Sequence, residues 1–301
     1  MKALTIKHLR YFAALARHHH FGRAAEVCAI SQPALSLQIK ELETIVGAPL
    51  LERGPRQLHL TALGEEFAAR AAQILQAMDD LGELARAASG DMAGRLRLGI
   101  IPTVTPYLLP RLMTALTRRY PALDLQPRET VTRRLLDDLH AGTLDAAVVA
   151  LPVSEPQLHE EPLFDEDFVL VRPVTDADRP VPSAAMLREM RLLLLEEGHC
   201  FRDQALSFCS LDTTHARDLM EASSLATLVQ MVSAGIGVTL IPEMAVAVET
   251  RGAAVSVARL AHPAPTRRIG LVWRKSSPLA GQLGQFAALI RQTWAQQKGG
   301  A

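Results

Sequence analysis

An all-α N-terminal winged helix-turn-helix domain, a linker helix, and an α/β effector domain of two lobes make up the fold class that this 301-residue sequence predicts. Three observations predict it. Helical spacing with strong caps runs through the first 46 residues, an Ala-rich apolar stripe follows from Thr61, and from Arg95 short apolar strands alternate with amphipathic helices. With 49% hydrophobic residues and a formal net charge of zero, the chain is an ordinary globular one able to bury sizeable cores. The expected boundaries are 1–61 for the first domain, 62–90 for the linker helix and 91–301 for the effector domain. Within the last, lobe I takes about 95–164 and 269–301, and lobe II about 165–268.

Leu9, Phe12, Ala13 and Ala16 recur at helical spacing, and a second short helix fits Phe21 to Cys28, with Cys28 on its buried face. After a turn at Ala29 and Ile30, Ser31 is a good N-cap and Pro33 fits the first turn of a third helix that Gly47 ends. Leu35, Ile39, Leu42 and Val46 share one face of that helix. The opposite face carries Pro33, Ser36, Leu37 and Lys40, with Gln32 at its leading end. A short helix, a tight turn and a polar-faced helix form the arrangement that places a recognition element in the DNA major groove. Gln and Ser hydrogen-bond bases, and Lys meets guanine or phosphate.

Residues Leu50 to Leu60 alternate around Gly54-Pro55 like a β-hairpin, with Arg53 and Arg56 at the tip suited to the phosphate backbone. Residues 1–60 hold eight Lys or Arg against four Glu, so the basic end is the candidate nucleic-acid surface. A plain three-helix bundle with a solvated face is the bland alternative. From Thr61 to about Ala88 a long helix carries Leu63, Phe67, Ile74, Met78, Leu81 and Leu84 near heptad spacing, which predicts a dimer seam. Residues 89–94 form a hinge.

Beyond the hinge, strands are expected at Arg95–Ile101, Leu123–Arg128 and Leu144–Ala150, with helices at Leu108–Tyr120 and Arg133–Ala141. A second set comprises strands at Phe168–Val171, Leu192–Leu195, Val238–Ile241 and Arg268–Trp273, a helix near Leu225–Ala234 and a final helix to about Gln297. Two small parallel-sheet lobes joined by crossing strands enclose a cleft, and the loop Ile101 to Pro106 lies at one carboxyl edge.

Cys200 and Cys209 are two of only three cysteines, and they bracket a stretch that reads as a redox switch. If residues 201–208 are helical, the two sulfurs lie about 14 Å apart along the axis. A disulfide tolerates a Cα separation of about 4.4–6.8 Å, so bond formation requires the helix to unwind. His199, Arg202 and the helix start are expected to favour the Cys200 thiolate. Cys209 is placed to condense with a sulfenic acid formed there. The alternative is that both cysteines are small buried hydrophobes. Cys-x8-Cys with one histidine lacks zinc-ligand spacing, and so does the run His18-His19-His20; no metal and no cofactor are expected. No apolar run reaches about 18 residues, and the first eight residues lack a signal-peptide core, so the expected address is the cytoplasm, without membrane contact.

Phe21-Gly22-Arg23-Ala24-Ala25, Ser31-Gln32-Pro33-Ala34-Leu35-Ser36, Ile39-Lys40-Glu41-Leu42-Glu43 and Pro49-Leu50-Leu51-Glu52-Arg53 together resemble the LysR family of bacterial transcriptional regulators. Gly99-Ile100-Ile101-Pro102-Thr103-Val104, Pro106-Tyr107-Leu108-Leu109-Pro110, Pro162 to Glu166, Gly198 to Ala205, Phe208-Cys209 and Ile269 to Val272 are similar to its peroxide-sensing members. The resemblance covers nearly the whole chain and implies a periplasmic-binding-protein-like effector domain. It implies that Cys200 reacts with hydrogen peroxide and that Cys209 is its disulfide partner. Thr103 and Thr132 then hold the peroxide, with His199, Asp203 and Arg267 as polar neighbours. The need is physical, because donors aimed at the leaving oxygen stabilise the charge that develops there.

The implied partners are double-stranded promoter DNA, hydrogen peroxide, further copies of the chain as a homodimer or homotetramer, cellular thiol reductants and RNA polymerase. The implied role is regulatory and not enzymatic. Two departures stand out. Leu37 sits where many family members carry a basic residue and suits a thymine methyl. Ser210 to Met220 matches the peroxide-sensing pattern poorly. Two rivals are a regulator that binds a small organic effector between the lobes and a thiol-dependent peroxidase.

Overall fold

The computed structural model describes residues 3–52, 58–87, 92–209, 220–261 and 264–298. The chain divides into two compact units, Met1–Ala85 and Arg86–Ala301.

The first unit begins with α1 (Ile6–His18), α2 (Phe21–Val27) and α3 (Gln32–Val46), and each starts on a side-chain cap. Thr5 accepts from the His8 amide, His20 Nδ1 accepts from Arg23 N at 3.2 Å, and Ser31 Oγ accepts from Ala34 N. The histidine run is therefore structural: His19 takes the left-handed C-cap position of α1 (φ 47°) and His20 caps α2. Gly47 ends α3 at φ 79°, where a side chain would strain the backbone. Phe12, Leu15, Ala24, Ala25, Leu35, Ile39, Leu42 and Leu50 form the core. Each large member contributes roughly 1.5–3 kcal/mol by leaving water. Cys28 is not among them; it is the half-buried C-cap of α2, because the helix stops one residue short of the expected end.

The chain then pairs Leu51 with Leu60 in an antiparallel bridge, and Glu52 N donates to His59 O at 2.9 Å. Glu43 of α3 accepts from the amides of Leu50 and Leu51, which ties the hairpin base to the third helix. The tip with Arg53 and Arg56, the hinge residues 88–91, and Ser210 to Leu219 lie outside the described residues. Helix α4 (Ala62–Ala87) opens with the Thr61 hydroxyl accepting from Gly64 N. Phe67 turns into the core against Phe12, with centroids 5.5 Å apart, so it is not part of an outer stripe. Leu63, Ile74, Met78 and Leu81 stay exposed, and the side chain of Leu84 lies outside the described set.

The second unit is α/β. Strands β1 (Gly94–Ile100), β2 (Leu123–Glu129) and β3 (Ala146–Leu151) run parallel, crossed by α5 (Thr105–Arg119) and α6 (Thr132–His140). The long β4 (Leu158–Pro173) then joins the two lobes. Its first half pairs with β9 (Thr266–Arg274), and its second half pairs with β7 (Val238–Pro242) and β8 (Val255–Arg259). These pairings and β3 with β9 are antiparallel, so neither lobe is the purely parallel sheet the alternation suggests. In the second lobe β5 (Leu192–Leu195) lies parallel to β7 and to β6 (Glu221–Ala222). Helices α7 (Ala184–Glu189), α8 (Cys200–Phe208), α9 (Leu225–Ser233) and α10 (Val246–Glu249) complete that lobe, and α11 (Ala280–Lys298) packs on β4 and α5. Among the described residues no helix is long and apolar enough to cross a membrane.

Gly64 marks the tightest joint of the first unit, since a Cβ there would stand 2.1 Å from the Leu50 carbonyl oxygen. Gly64→Ala is expected to lower that unit's stability by about 1–3 kcal/mol. Gly82→Ala, on the same helix with open space around it, should leave the thermal midpoint unchanged or slightly raised.

Candidate functional site

On α3, Gln32, Pro33, Leu37 and Lys40 are exposed and Ser36 is half-buried, because Leu35, Ile39 and Leu42 take the inward face. Helical spacing alone separates the two faces. Leu37 is 65% exposed, a large apolar side chain left in water on a polar face.

The thiol site is built on α8. Gly198, at φ 98°, turns the chain into the helix, His199 is its N-cap and Cys200 is its first residue. The His199 side chain does not cap the helix. Burial lowers its pKa below the ordinary histidine value, so the imidazole is neutral at pH 7. Arg202 pairs with Glu221 and donates to the Leu195 carbonyl. Neither expected cation therefore stands free to balance a thiolate. The helix N-terminus remains, with its unsatisfied amides.

Half-buried Cys200 lies in an open cleft of about 460 Å³ between α6 and α8, lined also by Thr132, Leu136, Gly198 and Asp203. Thr132 Oγ1 is buried and has no hydrogen-bond partner among the described residues. A buried hydroxyl in that state costs about 1–3 kcal/mol unless something bonds it. Cys209, the C-cap of α8, is fully buried in the core, and burial pushes its thiol up to about 11. All three cysteines are free thiols. The intact helix holds Cys200 and Cys209 at its two ends, about 14 Å apart along the axis.

Thr103 and Arg267 meet each other in the core. Arg267 Nη1 donates to Thr103 Oγ1 at 2.8 Å and Nη2 to the Thr103 carbonyl at 3.1 Å. Nε donates to Glu166 Oε2 at 2.9 Å, and both charged side chains are fully buried. The other Glu166 oxygen accepts from Met244 N at 2.7 Å. Glu166 was not singled out in the sequence. Its signal lay in the β4 alternation, where a carboxylate stands in the row of Phe164 and Phe168, directly across from Arg267.

The chain thus joins a helix-turn-helix unit to a two-lobed α/β unit that carries a thiol at a helix start. The chain belongs to the LysR family: residues 6–65 match the bacterial regulatory helix-turn-helix protein, lysR family, and residues 89–295 match the LysR substrate binding domain. It is 45% identical over 293 residues to a probable hydrogen peroxide-inducible genes activator of Streptomyces viridosporus, covering 96% of this chain and 94% of that one. It is 41% identical to the DNA-binding transcriptional dual regulator OxyR of Escherichia coli K12, over 96% and 95% of the two chains. Among solved structures, full-length OxyR of Pseudomonas aeruginosa with a cysteine-to-aspartate substitution aligns at a TM-score of 0.76 and 36% identity, covering 97% and 96%. A cysteine-to-serine OxyR of Corynebacterium glutamicum with hydrogen peroxide bound aligns at 0.68 and 36%, covering 98% and 94%.

Arg267→Met is expected to destabilise the α/β unit by about 3–5 kcal/mol, because Glu166 is left as a buried charge without its counter-ion. Denaturant unfolding should show it. Arg268→Met, in the exposed pair with Asp165, should leave the unfolding midpoint nearly unchanged.

Proposed function

We propose that this regulator senses hydrogen peroxide and switches through a reversible disulfide between Cys200 and Cys209. One observation carries the reading: two free thiols stand at opposite ends of one helix, Cys200 at an open cleft and Cys209 in the core. The names of the relatives as peroxide-inducible activators and as OxyR support the same signal.

The Cys200 thiolate attacks one peroxide oxygen, and the O–O bond breaks. Sulfur loses two electrons, giving sulfenic acid, and the departing hydroxide takes a proton to leave as water. The Cys209 thiol, freed as α8 unwinds, then attacks the sulfenic sulfur, forming the S–S bond and releasing a second water. Thr132 supplies a buried hydroxyl with no partner among the described residues, and Thr103, buried with Arg267 and outside the lining of the cleft, keeps its hydroxyl proton to donate because its oxygen accepts from Arg267. With His199 neutral and Arg202 paired, hydroxyl donors and the helix amides stabilise the leaving oxygen, and Asp203 flanks the cleft. The Cys200–Cys209 bond removes chain entropy worth about 3 kcal/mol from the unwound segment. Cellular thiols reverse it by exchange.

The signal then reaches DNA through a dimer seam on α4 and contacts between effector domains in a tetramer, where it alters how RNA polymerase is engaged. Gln32, Pro33, Ser36, Leu37 and Lys40 face the major groove, with Arg53 and Arg56 on the phosphates.

A stoichiometric peroxide pulse on full-length protein should link Cys200 to Cys209 once per subunit, as read by peptide mass mapping. Cys200→Ser should abolish both the bond and the change in DNA footprint; a footprint change that persists in Cys200→Ser sinks the mechanism. In reduced, folded protein at pH 8, iodoacetamide should modify Cys200 fastest, while Cys209 reacts only after unfolding or well above that pH, since its titration lies near 11.

A further inference from the structure

The residue after Cys200 is the one whose seat must be vacated first. Phe201 is 2% exposed, and its ring lies 4.7 Å from that of Phe168, tilted by 48°. The Arg267 guanidinium carbon stands 5.7 Å from the Phe201 ring centre. Through Arg267 the ring is one step from the Thr103 loop and from Glu166, and through Glu166 it is two steps from the turn at Met244. These contacts draw on both lobes, because Thr103 precedes α5 whereas Met244 follows β7.

We propose that Phe201 sets the poise of the thiol switch: seated against Phe168 and Arg267, it holds α8 helical and favours the dithiol, and its withdrawal carries oxidation into the junction between the lobes. The proposal rests on the disulfide reading above. Consecutive Cα atoms are 3.8 Å apart, so the sulfur of Cys200 cannot travel toward Cys209 without pulling on its neighbour. Unwinding the first turn therefore removes the ring from its seat. Phe168 loses an aromatic partner and buried Arg267 loses an apolar and cation–π contact. The guanidinium, held by Glu166 and Thr103, then adjusts, and both partners move with it.

The test is a redox equilibrium on the full-length protein. In glutathione buffers the protein dithiol gives up two electrons and two protons to one glutathione disulfide, yielding the protein disulfide and two glutathione thiols. The disulfide fraction is read by mass spectrometry across buffer ratios. Phe201→Leu is expected to move the equilibrium about fivefold toward the disulfide, and Phe201→Ala about a hundredfold. Phe286→Leu, a core change on α11, should weaken both redox forms alike and leave the constant unmoved. An unchanged constant in Phe201→Leu, with cooperative melting retained, overturns the proposal even if Phe201→Ala fails to fold. A wild-type protein that forms no Cys200–Cys209 bond at any buffer ratio overturns the disulfide reading itself, and the role of Phe201 with it.

Discussion

An α-helix and a disulfide impose incompatible distances on the same two residues, and the thiol site follows from that conflict. Nine helical steps separate Cys200 from Cys209 by about 14 Å, roughly twice what a disulfide tolerates. While α8 is intact the thiols are isolated from each other in different surroundings. Cys200 sits at the helix start beside an open cleft, and Cys209 sits in a core that holds it protonated. In the proposed switch the chemistry at one end must overcome the packing at the other, so the fold sets a threshold.

What α8 packs against determines how far its state is felt. The Glu166–Arg267 pair spans β4 and β9 in register, and one strand position away Asp165 pairs with Arg268. The two pairs are chemically alike and physically different. Pleating puts Arg268 and Asp165 in water, where solvent screens the pair and it contributes little. The same alternation puts Arg267 and Glu166 in the core, where each charge requires the other and further hydrogen bonds besides. Thr103 and the Met244 amide provide those bonds. A buried charge whose bonds reach into both lobes is poorly tolerant of gradual distortion, and that suits it to two discrete arrangements.

Much of the first unit was legible because its signals are local. Ser31, Pro33 and Gly47 bound α3 through interactions within a few residues, and the apolar spacing of Leu35, Ile39 and Leu42 fixes its faces. The second unit was legible where one element buries a continuous apolar run, as at Leu192–Leu195. It was illegible along β4. Only Phe168–Val171 reads as a strand, whereas the preceding stretch carries Glu160, Glu161 and Pro162 and is held extended by β9, more than 100 residues later. The pairing of Glu166 with Arg267 was hidden for the same reason, since no local rule says which buried charge meets which. Arg202 was illegible for a simpler one: its position two residues from Cys200 says nothing of the Glu221 carboxylate that engages it.

The reassignment of Arg202 and His199 changes what can activate the thiol. A cation beside Cys200 would favour the thiolate permanently, toward any oxidant and any metal. Helix amides and hydroxyl donors act differently, because they stabilise charge where it develops during the reaction. A buried Thr132 hydroxyl with no partner among the described residues is costly, and a small hydrogen-bonding molecule in the cleft would relieve that cost. In the proposed switch that molecule is peroxide, which bonds the Thr132 hydroxyl through one oxygen and offers the other to Cys200.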